Sequence, residues 1–185
     1  MSTSSDPLVD RQVAGSPVPL PNDRTARIST FVVRIVVGLL WVENLSWKIP
    51  PHFGADDNSG LYNQTSLAVE YPVLAPFSAV IESVVLPNFA VFGWGVYIVE
   101  ICLGLFLLLG LATRFWAVVG LILTLTIFLS VGGAPNVWAW SYILMAATHL
   151  AVVALAAGRV LGVDAALRRR VTGGSLISRL YRLSS

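Results

Sequence analysis

Five ionisable side chains stand in stretches that are otherwise apolar. Arg34, Glu43 and Lys48 lie within FVVRIVVGLLWVENLSWKIP, residues 31–50. Glu100 sits midway along FAVFGWGVYIVEICLGLFLLLGL, residues 89–111, and His149 lies within WAWSYILMAATHLAVVALAA, residues 138–157. An ionised side chain at the centre of a bilayer costs on the order of 2.5–3.5 kcal/mol on insertion scales, so such groups belong on faces turned toward protein. A cation, an acid and an imidazole gathered there could hold a polar head group, and the acid and imidazole could pass protons.

Spacing predicts which of them meet. Arg34, Gly38, Trp41, Leu45 and Lys48 share one narrow helical face, and the glycine permits close helix approach. Arg34 and Lys48 then point together into the protein, one near each end. Glu43 falls on the opposite face, near the surface, to snorkel or to pair with a loop group. Gly93, Tyr97, Gly104, Leu107 and Leu111 flank Glu100, which the small residues turn inward. Trp138, Tyr142, Met145, His149 and Ala156 form one stripe, with His149 near the depth of Glu100. At 1.5 Å per residue, Arg34 and Glu100 differ in depth by roughly 7 Å, a gap that an arginine side chain can close. Two readings are open. In one, an Arg34–Glu100 pair staples two helices. In the other, Arg34, Trp41, Lys48, Tyr97, Glu100, Tyr142 and His149 form an intramembrane polar site. Trp41, Tyr97 and Tyr142, with Trp94, read first as packing or interface-belt aromatics and second as walls for a quinone ring.

The elements that must position these residues follow from composition. Of 185 residues, 56% are hydrophobic and 12% are charged, against about a quarter charged in a soluble domain; mean hydropathy is +0.76. The apolar residues gather in blocks of the length that crosses ~30 Å of hydrocarbon. The predicted fold is an all-α membrane protein: a four-transmembrane-helix bundle with helices at about 28–47, 89–111, 115–131 and 138–157. Residues 1–27, rich in Ser, Pro and Asp, read as a disordered tail, and residues 158–185 as a basic tail. Between them, the 48–88 loop is acidic, with Asp56, Asp57, Glu70 and Glu82. Within it, Val73, Leu74, Phe77, Val80, Ile81, Val84 and Val85 predict an interfacial amphipathic helix at about 73–86, lying over the bundle as a lid.

Eleven arginines and one lysine set the expected orientation. Arg11, Arg24 and Arg27 precede the first span, Arg114 lies between the second and third, and six arginines follow the fourth. The positive-inside rule puts both termini in the cytoplasm, with the first helix as an uncleaved anchor. The basic tail reads as an orientation signal attracted to anionic lipid, and nucleic acid is not expected as a partner.

Several chemistries are excluded. Cys102 is the only cysteine, so the chain has no redox pair, disulfide or iron–sulfur set of its own. His52 and His149, one in a loop and one in a helix, make no metal or haem set. No phosphate-binding loop occurs. No covalently bound cofactor is expected; redox chemistry would need a partner subunit or a quinone dissolved in the membrane.

Three stretches, RIVVGLLW with a following WK, VEICLGLFLLLGLATR, and WAWSYILM continuing through HLAVVALAAGRVLGVDAAL, resemble the DoxX family, including the related DoxD small subunit of thiosulfate:quinone oxidoreductase. The resemblance covers about residues 28–167 and carries Arg34, Gly38, Lys48, Glu100, Gly104, Gly110, Arg114, Gly158, Arg159, Gly162 and Asp164. It implies a four-helix subunit of the bacterial plasma membrane linked to electron flow into the quinone pool, with other membrane or redox subunits as partners. The long acidic loop departs from the family pattern, and the chain carries no separate soluble redox domain. A quinone-reactive subunit and a non-catalytic assembly or scaffold subunit both fit; a small transporter has no broken helix pair to support it.

Overall fold

A computed structural model describes residues 24–170, Ser178, Tyr181 and residues 183–185. Residues 1–23 of the expected N-terminal tail, and 171–177, 179, 180 and 182 of the expected basic C-terminal tail, lie outside the described residues.

The secondary structure of the described residues is all helical, without a strand. Helix α1 runs Arg24–Glu43, α2 Gly60–Glu70 and α3 Ala75–Val80; α4 runs Phe89–Leu109, α5 Thr113–Val131, α6 Ala139–Ala154 and α7 Val163–Arg170. Three helical runs are long and apolar enough to cross a membrane: Arg24–Glu43, Ala75–Leu109 and Thr113–Val131. Helix α6 is apolar but has 16 residues. A helix suits such sequences because lipid offers no partner for a free backbone N–H or C=O.

The 73–86 segment does not lie apart as a separate lid. Helix α3 continues through a π-helical turn at Ile81–Val85 and a 3-10 turn at Leu86–Asn88 into α4, one run of 35 residues. Pro87 is tolerated there because the first turn of a helix has no use for its missing N–H. Of the expected apolar face only Ile81 is buried, while Val73, Leu74, Val80 and Val84 are exposed. The element that folds back over the bundle is α2, which packs on α5 and α4.

Helix α1 packs along α4, and α5 along α6. Small residues set the first contact: a methyl on Gly104 would meet Val42 Cγ2 at 2.7 Å, and one on Gly38 would meet Leu108 Cγ at 2.9 Å. Val37, Trp41, Leu103, Leu107, Ala117, Val152 and Ala157 form the buried core. Outside it, Val36, Leu39, Val91, Ile98, Ile122 and Ile143 are exposed, an apolar outer surface suited to lipid.

The end of the bundle that holds the arginines is tied by one residue. Helix α4 stops at Gly110 in the left-handed region, and α5 starts after Ala112, also left-handed. Asp164 serves both ends of this turn. Its backbone N–H donates to the Gly110 carbonyl at 2.8 Å, while its carboxylate accepts from the N–H of Ala112 at 2.8 Å and of Thr113 at 3.0 Å. Otherwise unpaired N–H groups at the start of a helix attract such an acceptor.

Candidate functional site

The centre of the site is an ion pair between Lys48 and Glu100, both buried. Helix α1 ends at Glu43, and the next residues tighten into three-residue turns: Leu45 N–H donates to the Val42 carbonyl at 3.2 Å and Lys48 N–H to the Leu45 carbonyl at 3.1 Å. That turn swings Lys48 back toward α4. Asn44 Nδ2 donates to Glu100 Oε1 at 3.2 Å, and Lys48 Nζ donates to Glu100 Oε2. Trp47 Nε1 donates to Asn44 Oδ1 at 3.2 Å, and Lys48 Nζ lies 4.7 Å from the Trp47 ring centroid. One turn of chain thus supplies every partner of the intramembrane acid.

The pair lines a cavity of about 360 Å³ between the helices, at the end carrying residues 44–74. Leu40 and Trp47 from α1 and its turn, Leu61 from α2, Ile81, Val96 from α4, and Leu123, Ile127 and Met145 from α5 and α6 make its walls apolar. Polar groups reach it from Glu43, Gln64, Thr126, Ser130 and Tyr142. The threonine and serine hydroxyls already donate along α5, to Ile122 at 3.0 Å and Thr126 at 3.1 Å. The side chains of Tyr142 and Gln64 make no hydrogen bond to any described residue. Leu40, Glu43, Trp47 and Gln64 are exposed and mark the mouth.

The structure divides the seven expected site residues among four places. Lys48, Glu100 and Tyr142 meet at the cavity. Trp41 and His149 meet one helical turn further in, where Trp41 Nε1 donates to His149 Nε2 at 2.9 Å. His149 Nδ1 lies 2.7 Å from the Met145 carbonyl. An indole N–H only donates and a carbonyl only accepts, so His149 is the neutral Nδ1–H tautomer with both nitrogens engaged. That geometry leaves it no free position for relaying a proton. Gly120 makes room for the ring; a methyl there would run into it.

Tyr97 packs instead with Phe53 and Trp94, at centroid distances of 5.8 and 6.0 Å. Arg34 is far from Glu100, so the expected Arg34–Glu100 pair does not form. Its buried guanidinium points to the arginine end: Nη2 donates to the Leu161 carbonyl at 3.2 Å and the group is attracted by Asp164. Gly110 and Gly162 give it space, since a methyl on either would collide with Nη1. Physical register explains the correction. Arg34 lies seven residues before Trp41, roughly 10 Å along the helix, on the side away from the cavity.

Glu43, expected on the opposite face, also lines the cavity. Asn44 and Gln64 were not expected in the site. The four-residue spacing of Asn44 and Lys48 was a readable signal, whereas nothing in the polar stretch around Gln64 pointed to it. Among the described residues no group of three His, Cys, Asp or Glu side chains could hold a metal ion.

No curated protein and no solved structure matched the chain. A family profile described as TQO small subunit DoxD matches residues 29–181. With most of its length matched, the chain belongs to the DoxD family of membrane proteins.

Proposed function

We propose that this chain is the membrane-embedded small subunit of a thiosulfate:quinone oxidoreductase-like complex, and that the cavity beside Lys48 and Glu100 is its quinone site. The family match supports the class of complex. The observation that carries the site is a buried, hydrogen-bonded ion pair facing a cavity whose walls are otherwise apolar. Ligand sites have this make-up: apolar walls with a few placed polar groups. Lys48 donates one hydrogen bond and keeps donor capacity for a quinone oxygen, and the Glu100 carboxylate, itself an acceptor, holds that ammonium in place beside it. Reading the chain as four crossings in a bacterial plasma membrane goes with this. Helix α6 covers roughly 24 Å, and Trp138 and the 155–159 turn extend it. The described arginines other than Arg34, namely Arg24, Arg27, Arg114, Arg159 and Arg168, flank one end, while residues 49–88 hold none, which supports cytoplasmic termini.

Glu100→Gln tests the site, because it keeps shape and removes charge. Normal accumulation with loss of quinone-linked activity is the expected result. Full activity at normal accumulation would remove the site. Loss of the protein from membranes would favour a second reading, a non-catalytic assembly or scaffold subunit. That reading has its own support: both Glu100 oxygens are already taken, by Asn44 and Lys48.

A further inference from the structure

We infer that this cavity admits a neutral, lipid-soluble ring bearing hydrogen-bond-accepting oxygens and excludes small sulfur oxyanions, so that an anionic electron donor binds outside it. The inference rests on the quinone reading and adds which of the two substrates the cavity serves.

Charge decides the matter first. The ionisable groups lining the cavity are Glu43, Lys48 and Glu100, and the only cation is spent on Glu100. The lining therefore carries a net negative charge. Residues 49–88 add Asp56, Asp57, Glu70 and Glu82, with no Lys or Arg. His52, the one basic side chain in that stretch, stands 3.6 Å from Asp56. A doubly charged oxyanion approaching this end meets repulsion focused by low-dielectric walls. Inside, it would lose its water for a lysine already neutralised, and an unpaired buried anion is costly.

Available donors decide it second. A neutral ring needs donors for its oxygens and apolar walls for its body. Lys48 has N–H capacity beyond its bond to Glu100, and the Tyr142 hydroxyl is uncommitted among the described residues. Of the exposed residues at the mouth, Leu40 and Trp47, on α1 and the turn after it, make one side apolar, while Glu43 and Gln64 make the other side polar. A ligand dissolved in the bilayer can reach it from the side.

The test uses the purified full-length chain in mild detergent. The probe is a short-tailed neutral benzoquinone, and the readout is quenching of tryptophan fluorescence, with Trp47→Phe marking the share that comes from the cavity. Sodium thiosulfate is added as competitor, against sodium chloride of equal ionic strength. The expected result is saturable quenching that thiosulfate leaves at the chloride level and that Tyr142→Phe weakens about fivefold, the value of one lost hydrogen bond. Thiosulfate competition beyond the chloride control would overturn the inference while leaving the quinone site standing. Absence of saturable quenching, or quenching unchanged in both Trp47→Phe and Tyr142→Phe, would overturn the quinone site and the inference together.

Discussion

Lys48 and Glu100 form a buried ion pair although they are 52 positions apart, one on a turn after α1 and the other at the middle of α4. Each is the other's only charged partner among the described residues. Removing one partner leaves an uncompensated buried charge, which costs about 3–5 kcal/mol, whereas replacing both by apolar residues of similar size is often neutral. Lys48→Met should therefore lower thermal stability in detergent strongly, and the double variant Lys48→Met/Glu100→Met should recover most of the loss. A double-mutant cycle on unfolding midpoints checks this; additive losses would deny the coupling.

Trp41→Phe removes the donor to His149 Nε2 and keeps an aromatic ring, a smaller one, at this fully buried position. A buried acceptor left without its donor costs about 1–3 kcal/mol. Stability should drop by that order while quinone affinity at the cavity stays within about twofold, because neither residue lines it. Parallel unfolding and binding measurements separate the two effects.

Gly120→Ala and Gly95→Ala should behave oppositely. A methyl on Gly120 runs into the His149 ring, and overpacking of this kind costs about 1–3 kcal/mol. A methyl on Gly95 meets nothing within 4 Å, and alanine in a helix interior gains about 0.5–1 kcal/mol over glycine. Melting both variants in one detergent gives the comparison directly.

Tyr181 donates its hydroxyl to Asp164 Oδ1 at 2.7 Å. Burial first, and then the Asp164 carboxylate, push its phenol well above the usual tyrosine range. The folded state holds this proton more tightly than the unfolded one. The contribution is thus complete below about pH 10, the ordinary tyrosine value, and fades as pH rises through the folded value. Stability of the wild-type chain should fall on going above pH 10 with a slope that Tyr181→Phe reduces. Unfolding midpoints across alkaline buffers provide the check.

Much of this architecture could be read before any coordinates. Apolar length alone located α1, α4, α5 and the shorter α6, and small residues beside Glu100 and Arg34 predicted inward faces. The pairing was misread because α1 was extended to residue 47 as one straight helix. It stops at Glu43, and the turn after it carries Lys48 to Glu100, a change of direction that helical periodicity cannot express. Helix α2 was missed because GLYNQTSLAVE is short and polar, and its helicity comes from packing on the bundle. The cluster of Gly110, Gly162 and Asp164 around Arg34, with Gly158 against Thr113 and Asp164, was visible only as a resemblance. Its meaning is spatial: residues far apart in sequence fasten one turn.

The neutral Trp41–His149 pair lies between the cavity and the arginine end, set in the packed core of Leu103, Leu107, Ala117 and Val152. The Trp41 N–H is held by His149 Nε2 and the His149 Nδ1–H by the Met145 carbonyl, and no vacant lone pair on either ring waits to receive a proton. The pair therefore offers no open proton path between the cavity and the arginine end. If the proposed reduction of a quinone takes place in the cavity, the protons it consumes would enter from the cavity's own end of the bundle and not through this pair.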